Sequence, residues 1–303
     1  MLNKYHNQFS NQEILGLAGI SRQGFFKDHQ RQQSVQHLSD QVKEVVTEAR
    51  KQSKRMGARA LFYTYGVNFT GVNKFEKIVS DLGLGVAKRK KKRIISTDGI
   101  HEPKDVNLIN GLCLTHCRQA IAGDITYFWS RGGLFYIFTL KDLYSGLILG
   151  LTGSKSLHAK HAIVTLREAL ANKTHPWLNG TIHHTDAGSQ YKSTAYKELL
   201  GRKKLCMSIA DNCLENGAAE QFNGLLKNDY LCFERIENVE QLNKALIRVK
   251  KFLNEVRKVE QLDFRSPVEF ESAMMNLAPD QRKKKQLHDF KKGNLANQSK
   301  APP

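Results

Sequence analysis

Three β-rich runs with almost no chain between them most constrain what this sequence can fold into. They lie near 121 to 129, 134 to 142 and 146 to 152, joined by Gly132-Gly133 and Tyr144-Ser145-Gly146. Turns that short predict an antiparallel meander, because a crossover between parallel strands needs a dozen residues or more. A helical pattern follows from Ser156 to Ala171, with Ala159, Ala162, Ile163, Leu166 and Leu170 on one stripe. The β-branched run from Gly180 then ends at Asp186 and extends the same sheet. The class is α/β, with a core predicted over 118 to 272.

Three acids occupy distinct places in that pattern. Asp124 lies in the run Ala122 to Trp129. Asp186 closes a strand and is followed by Ala187-Gly188-Ser189-Gln190-Tyr191, a turn opening a helix, and the carboxyl ends of strands are where open α/β sheets keep their sites. Glu220 lies between Asn216 and Lys227, where Phe222, Leu225 and Leu226 predict an apolar helical stripe, with Glu220, Asn223, Gly224 and Lys227 on the opposite face. From that stretch alone, a surface Glu and Lys on an amphipathic helix is the simpler explanation. The spacing of 62 and 34 positions, with two acids on strands and one on a later helix, gathers all three on one sheet edge. Three anions so close repel one another unless cations lie between them. Two Mg²⁺ (or Mn²⁺) ions, typically about 3.5 to 4 Å apart, would suit an in-line displacement at phosphorus. Asp142, a fourth acid, ends the second strand, and turn chemistry accounts for it.

The charge points to an anionic partner. With 47 Lys plus Arg against 29 Asp plus Glu, the formal net charge is +18, and nucleic acid is the expected ligand. No apolar run reaches membrane-span length and the N-terminus lacks a signal peptide's apolar region, so no membrane partner and a cytoplasmic, nucleoid-associated protein are expected. Five cysteines without a Cys-x-x-Cys pair argue for reduced thiols rather than a disulfide framework or a zinc ribbon. His183 and His184 alternate across a strand, so both cannot face one metal, and no zinc is assigned.

Before the core, residues 1 to 36 read as a short helix-turn-helix-like segment, with Ile14, Leu17 and Ala18 as a stripe, Gly19-Ile20 as a turn and Ser21 as a cap. Residues 37 to 95 read as a helix-turn-helix DNA-binding domain with a basic arm. Val42, Val45, Val46 and Ala49 pattern its first helix, Gly57 to Tyr65 its second, and Phe75, Ile78, Val79 and Leu82 its third. Asn73, Lys74 and Lys77 on the third helix are the candidate DNA-facing residues. Lys88, Arg89, Lys90, Lys91, Lys92 and Arg93 cannot join a core and are assigned to an arm along phosphates. Residues 96 to 117 read as a linker whose Val106 to Ile109 docks on the core, and 273 to 303 as a basic tail disordered without DNA.

Asp124-Ile-Thr-Tyr, His184-Thr-Asp186-Ala-Gly-Ser-Gln-Tyr191 and Asn212-Cys-Leu-Glu-Asn216-Gly-Ala-Ala-Glu220 with Lys227 resemble the DDE transposases of the insertion-sequence-three family, most closely their second-frame product, OrfB. The resemblance covers most of the chain. It implies an RNase H-like core similar to retroviral integrase, with Asp124, Asp186 and Glu220 as the metal-binding catalytic triad. It also implies metal-dependent cleavage and strand transfer on double-stranded DNA (transposon ends and target), a homo-multimer, and a first-frame partner, OrfA, that helps recognise the ends. Lys227 would steady a phosphate. The gap between Asp186 and Glu220 is two residues shorter than is usual in the family, Glu215 stands where Asp is usual, and Val259 where His is usual. Asp211 and Glu215 are rival candidates for the third acid. Two further readings share the core: a DNA-binding relative that has lost turnover, and an RNase H-like nuclease or resolvase.

Overall fold

A computed structural model describes residues 11–87, 106–172, 176–210 and 216–289. The chain divides into two compact units, Met1–Ala87 and Lys88–Pro303. Lys88 to Arg93, Asp211, Glu215 and residues 290–303 lie outside the described residues.

The N-terminal unit contains α1 (Asn11–Leu17), α2 (Arg22–Gln52), α3 (Ala58–Thr64) and α4 (Val72–Asp81). Ser21 caps α2 by accepting from the Gly24 N–H at 3.0 Å. α2 then runs 31 residues without a break, so the expected boundary at residue 36 falls inside a helix. No Gly or Pro lies between Phe25 and Gln52 to stop it, and Ser34 bonds back to the Gln30 carbonyl at 2.9 Å. Among the described residues from 11 to 36, Leu15 is buried while Leu17 is 83% exposed and Phe26 51%. Val42, Val46, Ala49, Leu61, Phe75 and Val79 are buried together in the expected three-helix pattern. Phe62 and Phe75 meet edge to face at 5.6 Å. This leaves Asn73, Lys74 and Lys77 exposed on α4, with Asn73 Oδ1 accepting from Arg59 at 3.3 Å.

The second unit is built on a five-stranded sheet of order β4-β3-β2-β5-β6. β2 (Ala120–Ser130), β3 (Gly133–Asp142) and β4 (Ile148–Ser154) form the antiparallel meander the turns predicted. β5 (Ile182–Thr185) and β6 (Cys206–Ile209) run parallel to β2, which requires the crossover through α5 (Ala159–Ala171). Helices cover both faces. On one side Ile121, Phe138 and Leu149 pack with Ala162 and Leu166 of α5 and with Tyr196 and Leu199 of α7 (Thr194–Arg202), which follows the short α6 (Ser189–Lys192). On the other, Phe128, Phe135 and Ile137 pack with Phe222 of α8 (Gly217–Leu225) and with Leu242 and Leu246 of α9 (Val239–Lys251). Three antiparallel strands followed by two parallel ones, with helices on both faces, make the RNase H-like fold.

The expected tail and linker belong partly to this unit. β1 (Cys113–Leu114) pairs antiparallel with β7 (Lys285–Gln286), and the Leu287 N–H donates to the Leu112 carbonyl at 2.9 Å. Tyr144 Oη donates to the Lys283 carbonyl at 2.7 Å. The expected boundary between 272 and 273 falls within α10 (Pro267–Met275), whose capping box at Ser266 and Glu269 starts it cleanly. Upstream, the Ile209 N–H donates to the Val106 carbonyl at 3.0 Å, and Ile109 is buried. Among the described residues, no helix is long and apolar enough to cross a membrane.

Gly123 sets how closely β2 and β5 approach. A Cβ there would meet His183 Cε1 at 3.0 Å, Leu140 Cδ2 at 3.1 Å and Thr185 Cγ2 at 3.1 Å. Gly123→Ala is therefore expected to cost about 1–3 kcal/mol through overpacking. Thermal unfolding measures it, and an unchanged midpoint would show that the neighbours yield freely.

Candidate active site

Strand register brings the first two acids together. β2 pairs β5 at Ala120↔Ile182, Ile121↔His183 and Ala122↔His184, so two positions further along each strand stand Asp124 and Asp186. Asp186 lies just past the end of β5, where its Oδ1 accepts from the Gly188 N–H at 3.1 Å. Asp124, Thr126 and Phe128 share one face of β2, and Phe128 packs in the core beneath α8 and α9.

α8 is laid across that face by polar anchors. Asn216 Nδ2 donates to the Gly123 carbonyl at 3.2 Å, and Asn223 Nδ2 donates to Asp124 Oδ2 at 2.6 Å. Lys227 Nζ, in the π turn Leu226–Tyr230 that continues the helix, donates to Thr126 Oγ1 at 2.7 Å. Positions 216, 220, 223 and 227 follow helical spacing, so exposed Glu220 lies between two asparagines fastened to the strand that carries Asp124. Asn223 and Lys227 thus differ from the sequence expectation, which put them with Glu220 opposite the buried stripe. Asn223 is buried at 3% exposure and Lys227 is half-buried against β2. Sequence reasoning singled out neither Asn216, Asn223 nor Thr126 as a site residue. The available signal was the pair of amides one turn before and one turn after Glu220.

The electrostatics fit a cluster built around cations. Asp124 is pushed up to about 7 by burial and the charge of Asp186; the Ile125 N–H and Asn223 oppose the shift, and Glu220 adds to it. Burial raises Asp186 as well, against the Gly188 N–H. Burial lowers Lys227, with Asp124 pulling the other way. The Asn223 Oδ1 is buried without a hydrogen-bond donor beside Asp124. Carboxylate and amide oxygens are the hard donors that Mg²⁺ and Mn²⁺ take, so this donor set fits a divalent ion.

Asp124, Asp186 and Glu220 do not bring one ligand atom each within 4.8 Å of one another; a different group does. Among the described residues, the ligand atoms of Cys117, Asp142 and Glu271 lie within 4.8 Å of one another. It does not fit a metal. Arg118 Nη1 already pairs with Glu271 Oε1 at 2.6 Å, and burial, with Glu271 and Asp142, drives the Cys117 thiol far above its usual range. Asp142 accepts from the Ser145 N–H at 2.8 Å and from its hydroxyl at 2.7 Å, the turn role its position predicted.

The two histidines before Asp186 take separate partners. His183 Nε2 is 2.5 Å from Tyr196 Oη, and His184 Nδ1 is 2.8 Å from Ser208 Oγ. Burial, then the neighbouring His184, lowers His183 to about 3. Because the unfolded imidazole takes a proton near pH 6.5 and the folded one does not, this residue's contribution to stability is complete above pH 6.5 and is lost as pH falls toward 3. The loss is about 1.4 kcal/mol per pH unit within that window. Urea unfolding of the protein and of His183→Asn at several pH values measures it, and parallel pH profiles would refute it.

Residues 115–212 match the integrase core domain family. The chain is 27% identical to the insertion element IS600 uncharacterized 31 kDa protein of Shigella sonnei, over 86% of this chain and 98% of that one. It is 28% identical to transposase InsF for insertion sequence IS3A of Escherichia coli strain K12, over 75% of this chain and 81% of that one. These matches support a DDE transposase of the insertion-sequence-three type. As a DDE-type polynucleotidyl transferase, this transposase carries an integrase-type core, which implies the use of divalent metal. The HTLV-2 integrase catalytic core, solved in complex with magnesium, is 17% identical and covers 52% of the transposase and 97% of that core at a TM-score of 0.42.

Proposed function

We propose that Asp124, Asp186 and Glu220 together bind two Mg²⁺ or Mn²⁺ ions and serve as the catalytic triad for cleaving and joining DNA at the ends of an insertion sequence. The observation that carries this reading is the pinning of α8 to β2 by Asn216 and Asn223, with Glu220 between them and its charge acting on Asp124. When bound, the ions activate the attacking oxygen and stabilise the leaving one. Asn223 holds the Asp124 carboxylate in one orientation by donating to Oδ2. Lys227, held on Thr126, supplies a fixed positive charge for a phosphate on the same strand.

The N-terminal unit reads the DNA. Exposed Asn73, Lys74 and Lys77 on α4 meet the duplex, and Lys88 to Arg93 follow as an arm on phosphates. The working form is a multimer that pairs two ends, aided by a first-frame partner, in a cytoplasm where the nucleoid supplies the target.

Strand cleavage and joining on a labelled duplex carrying the element's ends tests this, with Mg²⁺ or Mn²⁺ against a chelator. Products that appear only with metal are expected. Stable DNA binding with no products in either metal, even with the first-frame partner added, would favour the relative that has lost turnover.

A further inference from the structure

The face of β2 opposite Asp124 carries a second feature. Ile125 points into the core under α5 beside Phe138. Tyr127 and Trp129 continue the same face past the covering helices and are 55% and 73% exposed. Trp129 is the most exposed large apolar side chain among the described residues of the second unit. Across the hairpin, Tyr127 pairs with Tyr136 and Trp129 with Leu134, which puts each pair on one face. The Tyr127 and Tyr136 rings meet at 5.4 Å. Single exposed aromatics are ordinary, but neighbours on one rigid hairpin form a platform.

Position and charge indicate what lies on it. β5 pairs only with Ala120 to Ala122, so from Asp124 onward that flank of β2 has no strand beside it. Tyr127 and Trp129 are three and five residues beyond Asp124, about 10 and 17 Å along the strand. Exposed Arg131 opens the hairpin turn, and exposed Lys155 follows Ser154, the strand partner of Tyr136. The Lys155 ammonium lies 3.7 Å from the centre of the Phe135 ring, on the opposite face of the sheet, which leaves Arg131 as the cation beside the platform. Aromatic faces beside a cation such as Arg131 bind bases and phosphates together.

We propose that Tyr127 and Trp129, backed by Tyr136, form a stacking platform for unpaired bases of the DNA strand held at Asp124. The inference rests on the reading that this core acts on DNA, but not on the identity of the triad. The occupant is a nucleobase, because a second copy of a chain of net charge +18 would bring like charge against Arg131 at this face.

Trp129 reports on its own surroundings. The chain has two tryptophans, and the other, Trp177, is half-buried with Arg118 5.8 Å from its ring. In full-length Trp177→Phe protein, single-stranded oligodeoxythymidine is expected to quench Trp129 emission saturably, in step with the oligonucleotide's anisotropy. Tyr127→Ala/Trp129→Ala should weaken single-strand binding about fivefold to a hundredfold while duplex binding changes less than twofold. Titrating the unaltered protein against Trp129→Phe gives the same comparison should Trp177→Phe fold poorly. Saturated binding without quenching overturns the proposal. So does Trp129 emission that follows protein concentration instead of DNA, which would make the face a contact between copies. Glu220→Gln protein should still show the quench, so loss of the triad reading and loss of the platform give different results.

Discussion

Glu220→Gln is expected to abolish metal-dependent cleavage and joining, by on the order of 10³-fold or more, with DNA affinity within about twofold of the parent. Gln keeps the length and one carbonyl oxygen but removes the charge that a divalent ion requires. Glu220 is exposed on α8, so the substitution leaves no buried group unsatisfied and the fold intact. The reason for so large an effect is cooperative: in the proposed site the three carboxylates would hold the ions as one unit, and the contribution of the remaining two would collapse without the third. Labelled element ends in Mg²⁺ and in Mn²⁺ provide the readout. Retained activity in Glu220→Gln, together with loss in Glu215→Gln or Asp211→Asn, would move the third acid to one of those two residues.

Glu271→Leu is expected to destabilise the second unit by about 3–5 kcal/mol. Arg118 is fully buried and Glu271 is 2% exposed, and the pair is bidentate, at 2.6 Å for Nη1 to Oε1 and 3.3 Å for Nη2 to Oε2. The Ser145 hydroxyl also reaches Glu271 Oε1 at 2.6 Å, and the Arg118 N–H donates to Asp142 Oδ1 at 2.9 Å. These contacts tie α10 to the start of β2 and the end of β3, the strands that carry Asp124 and its neighbours. Removing Glu271 strands a guanidinium in the interior, which costs far more than an exposed pair would. The unfolding midpoint should fall roughly 2–4 °C per kcal/mol for a unit of this size. Adding Arg118→Met to Glu271→Leu should recover most of the loss, because an apolar pair leaves no charge buried. A loss below about 1 kcal/mol in the single variant would mean that water reaches Arg118.

The parts of the fold that were legible in the chain were those with local causes. Gly132-Gly133 and the Tyr144 to Gly146 turn allowed only hairpins, and the apolar stripe of α5 allowed only a helix. The three helices around Val42, Leu61 and Phe75 declared themselves by spacing. Where the reading failed, the cause was long-range or an absence. α2 was divided at residue 36 because its polar N-terminal half shows no helical stripe, although nothing there interrupts a helix. β1 and β7 are two residues each and more than 170 positions apart, so neither carries a pattern without the other.

By itself, the sequence determined the order of the elements and the acid that each would carry: Asp124 in a strand, Asp186 at a strand's end and Glu220 on a helix. Local conformational preference and hydrophobic period are properties of short windows, and a single chain states them directly. Only the tertiary structure decided that Ala122 pairs with His184, so that Asp124 and Asp186 lie side by side. It alone turned Asn223 inward onto Asp124 and set Lys227 on Thr126. Those outcomes depend on register and on which helix face meets the sheet. Both are chosen by burial summed over the whole core, which no window of residues contains.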